Sequence, residues 1–395
     1  MVDTAPLITD TAWPVTVLIA WLAGEFAYQA ARLPRISAYA LVGFVMAPAQ
    51  TGFLPQTQSA TVMLLANMAF CLILFECGYR INLRWLRSNP WMALTSLSEA
   101  ALCFAAVYGL LLWFQLPMAT ALLLAALSMA TSPATVVRVV TERHCSGQAT
   151  ERLLYLATLN TVLAVFVFKI MLGWAVLRTS GNILAAVYSS FVVLLLSVLL
   201  GLFAGVLTPA LLRFSRQSGQ DSTLAFALAV ICLVALTFGL KLSPVVATLT
   251  FGLWARHSRL VLNASQRGFG ALGDLFSVLL FVFISSRLEW PQALAGMALG
   301  MAFVAVRLVA KTLGISLFAH VSGITWRKGL LIGLGTVPTP ALVILVLEQT
   351  RYLGGNLVEL LVPLAGATLV LEICGPLLVQ RALIWAREVP DAREP

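Results

Sequence analysis

Charge is what this 395-residue chain has least of: Asp, Glu, Lys and Arg make up 10% of it, against 60% hydrophobic residues. A soluble domain carries about 25% charged residues, so a water-solvated globular fold is excluded. Histidine is scarce too, and no two of His144, His257 and His320 are spaced as metal ligands. The six cysteines (Cys71, Cys77, Cys103, Cys145, Cys232, Cys374) lack the paired spacing of a metal centre and read as small buried hydrophobes. No phosphate-cradling Gly loop, nucleophile elbow or zinc motif occurs. The expectation is a protein that is not an enzyme and has no cofactor.

What is there is apolar sequence in lengths that suit a bilayer. Thirteen candidate spans cover roughly 13–31, 36–50, 59–79, 90–114, 117–140, 151–177, 182–214, 222–240, 242–260, 268–287, 290–320, 327–349 and 355–381. The runs are continuous rather than strictly alternating, which predicts helices and not a barrel. The fold class is therefore an all-α integral membrane protein, and its first partner is the lipid bilayer. Asp3 and Asp10 with no basic run before the first apolar stretch argue against a cleavable leader. Tryptophans such as Trp13, Trp91, Trp113, Trp290 and Trp326 fall mostly at span ends, as interfacial aromatics do.

The net charge of +9 points to topology rather than to nucleic acid. One alternate set of loops carries eighteen of the basic residues, from Arg32 and Arg35 to Arg387 and Arg393. The opposite set carries only Arg178, Lys241, Arg287 and Arg351. By the positive-inside rule the rich set is cytoplasmic. With thirteen spans this predicts an outside N-terminus and a cytoplasmic C-terminus in a multi-pass plasma membrane, taken as a bacterial inner membrane.

Polar interruptions then reveal two halves that echo each other. Span 117–140 is broken at Ser132-Pro133, and span 327–349 at Val337-Pro338-Thr339-Pro340. Asn160-Thr161 lies in the span after the first break and Glu372 in the span after the second. Glu99 precedes the first break, and Arg307 with Lys311 precedes the second. The triplets have opposite orientation, and inverted repeats with discontinuous helices are a mark of secondary transporters. Broken backbone in lipid must line protein or water.

Four stretches give these features a family likeness: Leu74–Leu83, Ala126–Val139, the Asn160-Thr161 segment, and Gly375–Leu383 at the end of the last span. In this order they resemble the monovalent cation:proton antiporter superfamily, over nearly all of the membrane region. The resemblance implies two crossed discontinuous helices and a homodimer. It also implies dimerisation helices at 1–89 (spans 1–3) and 222–289 (spans 8–10), with core transport helices at 90–180 (spans 4–6) and 290–385 (spans 11–13). Residues 181–221 become a linker helix and 386–395 a cytoplasmic tail. A monovalent cation and a proton are the implied substrates.

One substitution breaks the likeness. Superfamily members carry Asn-Asp or Asp-Asp where this chain has Asn160-Thr161, and that aspartate alternates between cation and proton. The expected site therefore comprises Asn160, Thr161, Thr131 and Ser132 as oxygen ligands, in a pocket without a carboxylate. Pro133, Pro338 and Pro340 mark the helix breaks, and Glu99, Arg307, Lys311 and Glu372 form a core charge network. Three other positions carry expectations of their own: a Glu76–Arg80 bridge at the interface, Glu25 with Arg32 two turns on, and Asp274 at a cytoplasmic funnel. Three functions stay open: an exchanger whose titratable group has moved to Glu99, Glu372 or Glu76; a transporter of a non-cationic solute; and a transport-silent sensor or subunit for another membrane protein.

Overall fold

The computed structural model describes residues 4–55, 60–177, 183–214, 221–257, 269–339 and 364–390; Pro340 lies outside them. Among the described residues all regular structure is helical. The elements in chain order are α1 (Thr4–Ala31), α2 (Arg35–Val45), α3 (Ala60–Arg80) and the short α4 (Leu83–Ser88). They continue with α5 (Trp91–Trp113), α6 (Met118–Ser128), α7 (Pro133–Glu142), α8 (Gln148–Leu177), α9 (Ile183–Phe214), α10 (Asp221–Gly239) and α11 (Pro244–Ala255). The last are α12 (Gly270–Ser285), α13 (Trp290–Ala295), α14 (Met297–Leu317), α15 (Trp326–Gly335) and α16 (Ala365–Trp385). Each of the thirteen expected spans contains at least one of these helices, and seven of the described helices are long and apolar enough to cross a membrane.

Local chemistry sets the boundaries. Lys241 takes a left-handed φ of 56° and Pro244 opens the next helix, so the run 222–260 divides there into α10 and α11. Trp91 opens α5 and Trp113 closes it, while Trp326 opens α15 and Trp385 closes α16.

The helices pack in two groups. In one, α3 is flanked by α11 and α12, with α1, α2, α9 and α10 outside them. In the other, α5, α6, α7 and α8 pack with α14, α15 and α16. Contacts of α3 with α7 and α8, of α2 with α16 and of α8 with α9 join the groups. Small residues allow the closest approaches. Gly78 and Gly252 lie at the crossing of α3 and α11, where a Cβ on Gly252 would overlap the Phe75 carbonyl. Gly314 on α14 meets the backbone of Glu99 on α5. That contact sets the position of the central charges.

Candidate functional site

The sequence S-P-A-T creates the first break. Ser132 caps α7, its Oγ accepting from Thr135 N at 3.2 Å, and Pro133 supplies the pre-set φ of a first helical residue. Helix α6 has already ended at Ser128, so the chain runs non-helically through residues 129–132. In the partner span α15 stops at Gly335, and residues 337–339 are extended. The two unwound segments face each other. Ser132 N donates to Pro338 O at 2.8 Å, and Thr131 Oγ1 donates to Thr336 O at 3.1 Å. Two crossed, discontinuous helices are thus present as expected, tied together by their own backbone.

A half-helix ending at membrane depth leaves carbonyls that need donors. Arg307 and Lys311, one turn apart on α14, supply them. Arg307 Nε donates to Ser128 O at 2.9 Å and its Nη2 to Ala130 O, while Lys311 Nζ donates to Met129 O at 3.0 Å. Both side chains are fully buried. Cations at the carbonyl end of α6 also oppose its dipole. Arg307 is therefore held by carbonyls, whereas Lys311 has an acid as well: it forms an ion pair with Glu99 and a 3.1 Å hydrogen bond to Thr131 Oγ1.

Glu99 overturns the expectation of a carboxylate-free pocket. Its Oε1 takes Lys311, and its Oε2 accepts from Asn160 Nδ2. Asn160 Oδ1 in turn accepts from Ser96 Oγ at 2.7 Å. The cause is the close approach at Gly314, which brings α5 against α14 and aims Glu99 into the break. Thr161 Oγ1 lies 2.7 Å from Ala157 O and 2.9 Å from Thr131 O, so its proton ties the unbroken α8 to the unwound segment. Residues 96, 99, 131, 160 and 311 form one polar cluster at the crossing. Ser96 was missed, although its three-residue spacing from Glu99 puts both on one helical face.

Glu372 does not join this network. It is buried on α16, and neither carboxyl oxygen has a hydrogen-bond partner among the described residues. Other acids are also placed differently from expectation. Glu25 pairs with Arg35 at 2.8 Å and not with Arg32, because Pro34 turns the chain back on α1. Glu76 pairs with Arg80 at 2.7 Å as expected, but it is fully buried rather than interfacial, and Arg138 stands 3.9 Å from it. Asp274 is exposed and pairs with Arg138 at 3.3 Å. It borders a cavity of about 450 Å³ between the two helix groups, together with Glu25, Tyr28, Arg35, Arg138 and Glu142. Arg35 reaches Glu142 at 3.3 Å across that seam.

Opposed broken helices, an unbroken polar helix beside them and a buried Lys–Glu pair at their crossing define a secondary-transporter core. The sequence matches the family described as "Sodium/hydrogen exchanger, transmembrane" over residues 15–385. The chain belongs to that family, whose members are cation/proton antiporters and not enzymes. Among solved structures it is similar in fold to the sodium proton antiporter MjNhaP1 from Methanocaldococcus jannaschii. The TM-score is 0.66 with 15% identity, and 94% of each chain is covered. No curated protein sequence matches it.

Proposed function

We propose that this protein exchanges a monovalent cation for a proton at the Glu99–Lys311 pair, in place of the aspartate that Thr161 replaces. One observation carries the reading: the Lys311 ammonium sits among the Glu99 carboxylate, the Met129 carbonyl and the Thr131 hydroxyl. Those oxygens are what a dehydrated monovalent cation needs, so the ammonium occupies the cation's place. When Lys311 gives up a proton, Glu99 loses its counter-charge and the oxygens become free for the ion. One proton leaves and one cation enters, so the charge of the centre is unchanged. Asn160 then orients Glu99 instead of binding the ion, and Thr161 holds α8 to the break. Thr131 stays a ligand, while Ser132 Oγ is engaged with Thr135.

The wider reading follows the family. Spans 1–3 and 8–10 form a dimerisation domain in a homodimer, and spans 4–6 and 11–13 form a core that moves against it. The N-terminus lies outside and the C-terminus in the cytoplasm of a bacterial inner membrane. A transport-silent protein, serving as a sensor or as a subunit beside another membrane protein, is the second reading. It is favoured by the saturation of Asn160 Oδ1, Thr161 Oγ1 and Ser132 Oγ within the protein.

Proteoliposomes enclosing a pH dye, challenged with Na⁺, K⁺ or Li⁺, separate the two. A cation-dependent pH change in the wild type that is abolished by Glu99→Gln and by Lys311→Ala supports exchange at this pair. Silence in the wild type with a response gained in Thr161→Asp supports the second reading. Solute flux without proton movement would instead indicate a non-cationic substrate.

A further inference from the structure

Glu372 is 1% exposed, and both of its carboxyl oxygens lack a hydrogen-bond partner among the described residues. Buried polar atoms are nearly always paired, so an orphaned pair of oxygens calls for a reason. Helical geometry locates it. Leu369 and Ile373 pack in a cluster with Phe44 of α2, while Gly375 lies on Pro338 of the second break. At 3.6 residues per turn Glu372 projects between those two faces. It therefore stands on the seam where the last span meets α2 and the second unwound segment.

None of the charged groups on the helices packed against α16 serves it. On α2, Arg35 is held by Glu25 and Glu142, and Tyr39 is the other titratable group. On α7, Arg138 turns to Asp274 and Gly273 O, and Glu142 to Arg35. On α14, Arg307 is held by carbonyls and Lys311 by Glu99. On α15, Lys328 pairs with Glu388 and Arg327 reaches Trp385 O. Helix α13 carries no ionisable side chain, and on α16 itself Arg381 is more than two turns away. An ionised carboxylate without water or a counter-charge is strongly disfavoured at such a place.

We propose that Glu372 is a second proton-binding site, separate from the Glu99–Lys311 centre. Its carboxyl holds a proton while α16 packs against α2 and the second break, and releases it to water when that seam opens. The neutral acid is compatible with the dry seam, and the carboxylate only with a wet one. Release of the proton is thereby tied to relative movement of the two helix groups.

Infrared spectroscopy of the protein in lipid vesicles tests this without a transport assay. The wild type at neutral pH is expected to show the carbonyl-stretch band of an unbonded carboxylic acid, at the high-frequency end of the acid range. The band should vanish in Glu372→Gln, persist in Glu99→Gln and fade in the wild type at alkaline pH. Glu372→Gln is a neutral isostere and should keep the wild-type melting temperature; if it does not fold, Glu372→Leu serves in its place. Absence of the band in the wild type, or its survival in the Glu372 variant, would overturn the proposal. So would a carboxylate band that shifts with added Na⁺ and is lost in the Glu372 variant, because the group would then be a cation ligand.

Discussion

At the scale of single residues, the centre is governed by one buried ion pair whose members were each visible in the sequence but whose pairing was not. Removing one partner of a buried pair leaves an uncompensated charge and costs about 3–5 kcal/mol, whereas replacing both with apolar groups is often nearly neutral. Lys311→Ala is thus expected to lower stability by that amount, with Glu99 stranded in the bundle. The double variant Glu99→Leu/Lys311→Met should recover most of the loss while abolishing exchange. Thermal unfolding in detergent beside the vesicle assay checks both. The scarcity of charge made Glu99, Arg307, Lys311 and Glu372 stand out as candidates. Which of them touch was decided by Gly314, a residue with no polar chemistry of its own.

At the scale of elements, both breaks were legible because Pro and a capping hydroxyl are local signals. Glu388 was not. It lies beyond α16, yet its carboxylate accepts from Ala149 N at 2.8 Å and Thr150 N at 2.7 Å, and from Lys328 at 3.1 Å. It therefore caps α8, the helix carrying Asn160, and ties it to the start of α15. Burial alone would raise its pKa, but the hydrogen bonds from Ala149, Thr150 and Lys328 outweigh this and lower it. A lowered folded-state pKa means the stabilisation is full above the ordinary carboxylate range and is lost as pH falls through the folded value. Glu388→Gln should therefore cost about 0.5–2 kcal/mol at neutral pH, as loss of a cap does. The gap from wild type should close in acid below the usual glutamate range, as melting curves against pH would show. At the α3–α11 crossing, Gly252→Val forces a side chain onto the Phe75 carbonyl and should cost about 1–3 kcal/mol by overpacking.

At the scale of the whole molecule, the seam between the two helix groups is bridged by Arg35–Glu142 and Arg138–Asp274, each at 3.3 Å. Asp274 is exposed, so its pair contributes about 0–1 kcal/mol; the Arg35–Glu142 pair is less exposed. A bias of 1–2 kcal/mol shifts a two-state population by about 5–30-fold. Glu142→Gln with Asp274→Asn should loosen the seam and raise hydrogen exchange at residues 138–144, while leaving exchange in α5 unchanged. Equal exchange in both regions would show that these pairs do not hold the groups together.

Composition, apolar run length and the placement of Pro, Ser and Trp by themselves determined that this chain is a bundle of membrane helices, where most of them begin and end, and that two of them are interrupted. Those properties depend on interactions within a turn or two of the chain and on the thickness of lipid. The sequence also displayed the missing aspartate. Only the tertiary structure decided that Glu99 and Lys311 meet at Asn160, that Arg307 answers carbonyls instead of an acid, and that Glu372 stands alone. Those pairings join residues 61 to 212 positions apart, and close packing at glycines that carry no charge sets which of them come within reach.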